Sequence, residues 1–225
     1  MLILQLFNKK PSYMSVILLV VLVVVLAICL VGLVIVLHKA CLFCDQHKKV
    51  CGRQVDNFPH LEDTEWGERC VARMFTPSDA VVLELGGGSG SVSAVVQEKL
   101  ADKTKHVVVQ PQRGMFGGLD ALKTTKAKLG CQFHIVGHIL EAGEQDQIIA
   151  KIGVPTVLVA DCENCLVSEY QKNPKLFDSL QMIQVERDDF DNSYAKLFDL
   201  LRMKKIHTGK GCDGKCATEV WIKQH

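Results

Sequence analysis

The sequence predicts a doubly wound α/β fold: a mostly parallel sheet with helices on both faces, closed by an antiparallel pair of strands and preceded by one transmembrane helix. Three observations support this prediction. Apolar, β-branched runs alternate with helical patterns along most of the chain. A glycine-rich stretch follows the first of these runs, and a long uncharged run near the N-terminus is typical of a membrane span.

The N-terminal part of the chain carries an apolar run that is long enough to cross a membrane. Residues Ser15 to Leu37 read SVILLVVLVVVLAICLVGLVIVL, with no charged residue and no proline. A helix of about 20 apolar residues spans the hydrocarbon core of a bilayer. This run exceeds the ~7–15 apolar residues of a cleavable signal peptide, and no small-residue cleavage site follows it. We therefore predict a tail over residues 1–14, a retained transmembrane helix over 15–38 and a connector over 39–58.

The charges that flank this run favour a single-pass protein whose C-terminal part lies in the cytoplasm. Two basic residues precede the run and four follow it: Lys9 and Lys10, then Lys39, Lys48, Lys49 and Arg53. Positively charged flanks tend to stay on the cytoplasmic side. Cys212 and Cys216 bracket an Asp-Gly turn and would form a disulfide in an oxidising compartment, which leaves a lumenal domain open. With a cytoplasmic domain, we expect both thiols to be reduced.

Residues 59–225 show the alternation on which the fold prediction depends, after a first helix near Glu62–Arg73. Strands are predicted at Ala80–Leu85, His106–Gln110, Gln132–Val136, Thr156–Ala160 and Met182–Glu186, and helices at 91–100, 116–129, 143–151, 166–179 and 192–202. This spacing is typical of parallel strands whose connecting helices cover both faces of the sheet. Two further strands, Lys204–His207 and Ala217–Ile222, form the predicted antiparallel pair.

Charge and cysteine spacing exclude some kinds of partner. The formal net charge is +1, and no basic tract occurs, so we expect no nucleic acid partner. Cys41 and Cys44, with Cys51 and Cys70 nearby, lack the second closely spaced pair of a typical zinc site. We therefore predict no metal ion, and acylation of the cysteines beside the apolar run stays open.

The glycine-rich stretch reads 80-AVVLELGGGSGSVSAVV-96 and joins the first predicted strand to a helix. In a doubly wound sheet this turn lies at the carboxyl ends of the strands, where ligands bind. Glycine lets the backbone approach a ligand that a Cβ atom would exclude. The dinucleotide pattern G-x-G-x-x-G is incomplete here, because its third glycine falls on Ser91 or Ser93. The pattern E-x-G-x-G-x-G is complete from Glu84 to Gly90.

The complete pattern resembles motif I of the class I S-adenosylmethionine-dependent methyltransferases. Three later segments, 106-HVVVQPQ-112, 156-TVLVADCENCL-166 and 182-MIQVERDD-189, resemble the V-x-x-x-E-P segment, the D-x-E-G-x-E segment and the strand ending in V-E of the FkbM-type methyltransferases. The resemblance covers residues 60–222, nearly all of the chain after the apolar run. It implies a Rossmann-like fold and S-adenosylmethionine as the cofactor.

The resemblance also implies roles for individual residues. Cofactor binding is implied for Glu84, Gly86, Gly87, Gly88, Gly90, Gln110 and His138. Gln110 stands where the family usually has an acid that accepts from both ribose hydroxyls, whereas an amide accepts with only one end. Asp161 and Glu163 match the two acids of the fourth-strand segment, and we expect them to bind or activate the methyl acceptor.

The sequence therefore predicts a membrane-anchored methyltransferase that acts on an oxygen of a glycan, a lipid-linked molecule or another small acceptor. Two alternatives stay open. Gln110, together with Asn164 and Leu166 in place of the family's glycine and second glutamate, is compatible with a catalytically silent binding domain. A nucleotide-dependent oxidoreductase is less favoured, because Glu84 would repel a pyrophosphate.

Overall fold

The structure is a computed structural model that describes residues 65–111, 118–187, 192–211 and 216–224, together with Leu22. Apart from Leu22, these residues belong to the part of the chain that begins at Cys51. The predicted tail, transmembrane helix and connector lie outside the described residues, again apart from Leu22. Within the described ranges, no helix is both long and apolar enough to cross a membrane.

Seven strands of the described residues form one sheet, and helices connect the parallel strands. The strands are β1 (Val82–Leu85), β2 (His106–Val109), β3 (His134–Val136), β4 (Val157–Ala160), β5 (Met182–Glu186), β6 (Met203–Gly211) and β7 (Cys216–Lys223). The α-helices are α1 (Trp66–Phe75), α2 (Ser91–Lys99), α3 (Gly118–Leu129), α4 (Gln145–Ile152), α5 (Leu166–Lys172) and α6 (Ser193–Leu200). A short 3₁₀ helix, Pro174–Leu176, follows α5.

The strand order is β3-β2-β1-β4-β5-β7-β6. The pairs between β1, β2, β3, β4 and β5 are parallel, and β7 runs antiparallel to both of its neighbours, β5 and β6. The chain moves outward from β1 to β3 and then returns to β4 on the other side of β1. Ligands of doubly wound sheets bind at the carboxyl ends of the strands where the order reverses in this way. The predicted Rossmann-like sheet, mostly parallel with antiparallel closing strands, is confirmed.

Apolar side chains bury both faces of this sheet. On one face, β1, β4 and β5 pack against α4, α5 and α6, and Leu158 and Phe198 are fully buried there. On the other face, Val82 and Val159 pack among residues of α1 and α2. Strands buried on both faces consist of continuous apolar runs, which is why they could be recognised in the sequence.

Two elements differ from the sequence prediction. The helix predicted over 166–179 ends at Lys172, because Asn173 adopts φ −134° and ψ 55° ahead of Pro174. A residue before proline is disfavoured in the α-helical conformation. The closing strands are longer than predicted, with a register shift between Lys205 and His207. The turn that joins these strands, residues 212–215, lies outside the described residues, so the redox state of its cysteines stays a prediction.

Asn173 also holds the loop after β3 against α4 and α5. Its side chain is fully buried. The Oδ1 atom accepts hydrogen bonds from the backbone N–H groups of Gly143 at 3.2 Å and Gln145 at 3.3 Å. The Nδ2 group donates to the carbonyl oxygen of Glu141 at 3.1 Å. Three backbone groups of one loop therefore depend on a single amide.

Replacing Asn173 with alanine is expected to destabilise the fold by about 2–4 kcal/mol, because its three hydrogen bonds to backbone groups are lost. Gln181→Ala is the matched control, since this exposed amide donates to the Ser179 carbonyl at the surface. Urea denaturation of the full-length chain measures both variants. Equal losses of stability in the two variants would contradict the role of Asn173.

Candidate functional site

A cleft opens at the carboxyl edge of the sheet, where the strand order reverses. The ends of β1, β4, β5 and β7 line it, together with the start of α1 and the glycine-rich turn. Five of its described lining residues are acidic: Glu65, Glu68, Glu84, Asp161 and Glu186. No lysine, arginine or histidine occurs among the described residues that line it. The cleft is therefore suited to a cationic ligand.

Three glycines of the turn are required by the packing of the protein itself. At Gly86, with φ +87°, an added Cβ atom would lie 1.6 Å from the carbonyl oxygen of Asp161. A Cβ atom on Gly87 would lie 2.3 Å from Val108 Cγ1. At Gly90, also with φ +87°, an added Cβ atom would lie 3.0 Å from Leu122 Cδ1. These glycines let the turn pack closely on β4, β2 and α3.

Gly88 differs from the other three glycines. Its φ is +47°, and among the described residues the only heavy atom within 4 Å of an added Cβ atom is Glu65 Oε1, at 3.1 Å. The Gly88 N–H donates to Gln110 Oε1 at 2.7 Å, and Gln110 Nε2 donates to the Pro111 carbonyl at 3.3 Å. The Gln110 oxygen that was predicted to face a ribose hydroxyl therefore accepts a hydrogen bond from the turn. Gly88 is the position of the turn where a ligand can approach the backbone.

Glu84 lies at the base of the cleft and is held by the protein's own donors. Its side chain is almost completely buried and accepts hydrogen bonds from Ser93 Oγ at 2.7 Å and His106 Nε2 at 2.8 Å. Gln97 Nε2 lies 3.2 Å from His106 Nδ1. Because an amide nitrogen only donates, His106 accepts at Nδ1 and donates from Nε2 to Glu84. The motif predicted Glu84, whereas Ser93 and His106 were missed, although each is a polar residue within an apolar run.

Glu65 is a further acid of the cleft, and the sequence analysis missed it. It precedes α1, its carboxylate accepts a hydrogen bond from the Ser91 hydroxyl, and it lies next to Gly88. Burial raises the pKa of Glu65 from 4.5 to about 7, and the Asp161 carboxylate adds to this rise, whereas the bond from Ser91 opposes it. Glu65 therefore titrates near neutral pH at the wall of the cleft.

Glu68, one turn along α1, has a buried oxygen that no hydrogen bond satisfies. The residue is only 7% exposed, and its Oε1 atom accepts from Thr218 Oγ1 at 3.0 Å. Its Oε2 atom is buried and has no hydrogen-bond partner among the described residues, as is also true of Oε1 of Gln184 in the same cleft. A buried carboxylate oxygen without a partner is costly. A bound donor or cation would remove this cost.

The two acids expected after β4 separate in the structure. Asp161 lines the cleft, and its backbone carbonyl packs against Gly86 of the glycine-rich turn. Glu163 is exposed and is not among the described residues that line the cleft. Asn164, in the position of the family's glycine, has φ 67° and so keeps the left-handed turn. The same turn holds a disulfide that the sequence analysis did not predict, between Cys162 and Cys165.

His138 lies away from the cleft described above. Its ring is 56% exposed and its Nε2 atom is 2.9 Å from Glu144 Oε1. It is not among the described lining residues, so its expected contact with the cofactor stays a prediction. Among the described residues, no group of histidine, cysteine and acidic side chains is arranged to hold a metal ion.

Solved structures with a similar fold share little sequence with this chain. An O-methyltransferase from Bacillus cereus, in complex with SAH, aligns with a TM-score of 0.53 and 12% identity over 80% of this chain and 90% of its own. A putative tRNA (m1A22) methyltransferase from Streptococcus pneumoniae, in complex with S-adenosyl-L-methionine, aligns with a TM-score of 0.51 and 12% identity, over 69% and 72%. A protein of the NADB-Rossmann superfamily from Streptococcus agalactiae aligns with a TM-score of 0.52 and 6% identity, over 68% and 66%.

No protein-family model and no curated protein matches the sequence. This chain spans just under two thirds of the length of the Streptococcus agalactiae protein. The structural similarities show a Rossmann-like fold that S-adenosylmethionine-dependent methyltransferases also have.

Gly86→Ala is expected to destabilise the chain by about 3 kcal/mol or more, because the new methyl group meets the Asp161 carbonyl and the left-handed φ is unfavourable. Gly143→Ala is the matched control: its φ is +91°, but no heavy atom of the described ranges lies within 4 Å of an added Cβ atom. This control should lose only about 1 kcal/mol. Urea denaturation compares the two, and similar losses would show that the close contact at Gly86 is unimportant.

The raised pKa of Glu65 predicts how stability changes with pH. Between pH 4.5 and 7 the folded state holds a proton on Glu65 that the unfolded state releases, so stability falls as pH rises through this range. In Glu65→Gln this contribution disappears. The urea midpoint of this variant should therefore fall less between pH 5 and pH 7.5 than the midpoint of the wild type does. Glu163→Gln, at an exposed position of the same edge, is the control. An unchanged pH dependence in Glu65→Gln would contradict the raised pKa.

Proposed function

We propose that this chain is an S-adenosylmethionine-dependent methyltransferase. The observation that carries the proposal is the cleft where the strand order reverses, whose described lining includes five carboxylates and no basic residue. Arg69 is buried in α1 but does not belong to this lining. S-adenosylmethionine carries a sulfonium and an ammonium group, and carboxylates attract both. The pyrophosphate of a dinucleotide would be repelled by the same carboxylates.

Two features of the cleft fit this cofactor. Gly88 adjoins the cleft through Glu65 but is not among its described lining residues, and the described part of the chain leaves space for a ligand beside it, whereas protein atoms fill the space beside the neighbouring glycines. The buried, unsatisfied oxygen of Glu68 can accept from an ammonium group or lie against a cation. The similar Bacillus cereus and Streptococcus pneumoniae enzymes, whose structures contain SAH and S-adenosyl-L-methionine, give independent support.

In the proposed methyl transfer, individual residues of this chain would have the following roles. When bound, S-adenosylmethionine supplies a methyl group on a positively charged sulfur. Gln110 keeps the turn in shape by accepting from the Gly88 N–H. Asp161, which lines the cleft beside Gly86, orients the acceptor and accepts the proton of its hydroxyl group. Glu65, whose pKa is about 7, can hold or release a proton beside Asp161 at neutral pH.

The acceptor and the cellular setting are inferred from the sequence pattern. The resemblance to FkbM-type enzymes supports an oxygen of a glycan, a lipid-linked molecule or another small molecule as the acceptor. A transmembrane helix over 15–38 would keep the domain beside the bilayer, on the cytoplasmic side according to the flanking charges. In this arrangement the exposed Glu163 lies at the edge of the sheet where an acceptor enters.

A catalytically silent binding domain is the second candidate, and Gln110 favours it. Both ends of this amide are engaged by the protein, the oxygen by Gly88 and the nitrogen by the Pro111 carbonyl. Calorimetry of the full-length chain with S-adenosylmethionine separates the candidates, because a silent domain of this kind would show no saturable binding. A parallel titration with NAD tests the oxidoreductase alternative, for which binding of NAD alone is expected.

Gly88→Val is expected to abolish S-adenosylmethionine binding, a loss of about 100-fold or more, because a branched side chain fills the space beside the turn. Gly130→Val is the matched control, since Gly130 also has a left-handed φ, +64°, and no atom of the described part of the chain lies within 4 Å of its Cβ position. Calorimetry gives the affinities, and circular dichroism confirms that both variants are folded. Wild-type affinity in a folded Gly88→Val protein would overturn the assignment of the cofactor site.

A further inference from the structure

A disulfide between Cys162 and Cys165 closes the turn that follows β4. Their Cα atoms lie 5.4 Å apart, and two residues, Glu163 and Asn164, separate them. The proposed methyl transfer makes no use of this bond. The turn nevertheless begins at Asp161, so the disulfide lies beside a residue that lines the cleft.

The cysteine pair is placed where a soluble thiol can reach it. Cys162 and Cys165 are half-buried, and the two residues between them are exposed. The other described cysteines are less suited to thiol chemistry. Cys70 is buried, and burial raises the pKa of the Cys131 thiol, which lowers the fraction of reactive thiolate.

The fold does not need this bond to hold the turn at its two ends. On one side, the Asp161 N–H donates to the Leu85 carbonyl at 2.9 Å. On the other side, Leu166 is fully buried in the core. A disulfide stabilises mainly by closing a long loop of the unfolded chain, and the loop closed here is very short. A purely structural role therefore explains the bond poorly.

The bond does constrain the residues inside the turn. Glu163 and Asn164 both have left-handed backbone angles, with φ of 53° and 67°. Two consecutive non-glycine residues in this conformation are unfavourable unless the surroundings hold them. The Asn164 side chain accepts a hydrogen bond from Ser193 Oγ at 3.3 Å, but the covalent ring is the stronger constraint. Opening the ring would let this turn change shape beside Asp161.

We propose that Cys162 and Cys165 form a redox-active pair that exchanges with a low-molecular-weight thiol such as glutathione, and that the disulfide form fixes the turn beside Asp161. In the first step the thiolate of one glutathione attacks a sulfur of the pair, the S–S bond breaks, and the released cysteine thiolate takes up a proton. The thiolate of a second glutathione then attacks the glutathione sulfur of this mixed disulfide, and the second protein cysteine leaves as a thiolate that takes up a proton. The products are two protein thiols and one glutathione disulfide, and the reverse reaction restores the bond.

This exchange does not depend on the proposed methyltransferase activity. In the cytoplasm, where the domain is expected, glutathione is mostly reduced, so the dithiol form would be accessible. Oxidising conditions would then close the ring and hold the turn in the shape seen in the structure. The pair is a site of reversible thiol chemistry at the acceptor side of the cleft.

Redox titration of the full-length chain tests the exchange. The protein is equilibrated in mixtures that run from almost all reduced to almost all oxidised glutathione, quenched with acid, alkylated and digested with trypsin. Cys162 and Cys165 fall on one tryptic peptide, Ile152–Lys172, and Cys131 falls on another, Leu129–Lys151. As the fraction of oxidised glutathione rises, the first peptide should change from carrying two alkyl labels to carrying none, and this change should occur at an intermediate mixture. A peptide that stays unlabelled throughout, or doubly labelled throughout, would overturn the proposal.

Hydrogen exchange tests the effect on the turn. Amide exchange over residues 161–165 should be at least about threefold faster in the reduced protein than in the oxidised protein, with no change in β1 or β5. The double variant Cys162→Ser/Cys165→Ser should match the reduced protein in either buffer, and Cys131→Ser should behave as the wild type. Equal exchange in both redox forms would contradict control of the turn. An unfolded double variant would show that the bond is structural, which also overturns the proposal.

Discussion

The close packing of Gly86 on the carbonyl group of Asp161 is the constraint on which the carboxyl edge of the sheet depends. β1 and β4 are neighbours only because the strand order reverses between them, and their exits meet at this contact. A Cβ atom at 1.6 Å from the carbonyl oxygen could not be accommodated, so the turn after β1 is held directly against the turn after β4. This contact brings the open backbone of Gly88, the acidic cleft and the Cys162–Cys165 disulfide to one place.

The charges of the domain are arranged so that buried acids collect at this edge. Glu84 is satisfied by Ser93 and His106, and it forms the base of the cleft. The acids on the side of α1 are less satisfied: Glu65 has a raised pKa, and Glu68 has a buried oxygen without a partner. Buried carboxylates that lack partners are unfavourable in the protein alone. A cationic ligand would reverse this penalty, which is why we propose a sulfonium compound rather than a pyrophosphate for this cleft.

The sequence predicted the strands well because β1, β2 and β4 are buried along their whole length and consist mainly of apolar residues, as Val157–Ala160 shows. It placed the end of the helix after β4 wrongly, since the conformation of Asn173 ahead of Pro174 ends that helix. Of the site, it predicted what a local motif carries, namely the glycine-rich turn and Asp161. It missed Glu65 and Glu68, because their partners are remote in the chain: Thr218 is 150 residues from Glu68. Only the folded sheet brings α1 over β7, and no local pattern records that contact.

A structure of the full-length chain determined with S-adenosylhomocysteine would test the central claim most directly. The claim predicts that this ligand lies between the backbone of Gly88 and the Asp161 turn, with its amino group directed at the carboxylates of the cleft. Density for the ligand at any other edge of the sheet would contradict the claim. So would a dinucleotide bound in the same cleft with its pyrophosphate against the glycine-rich turn.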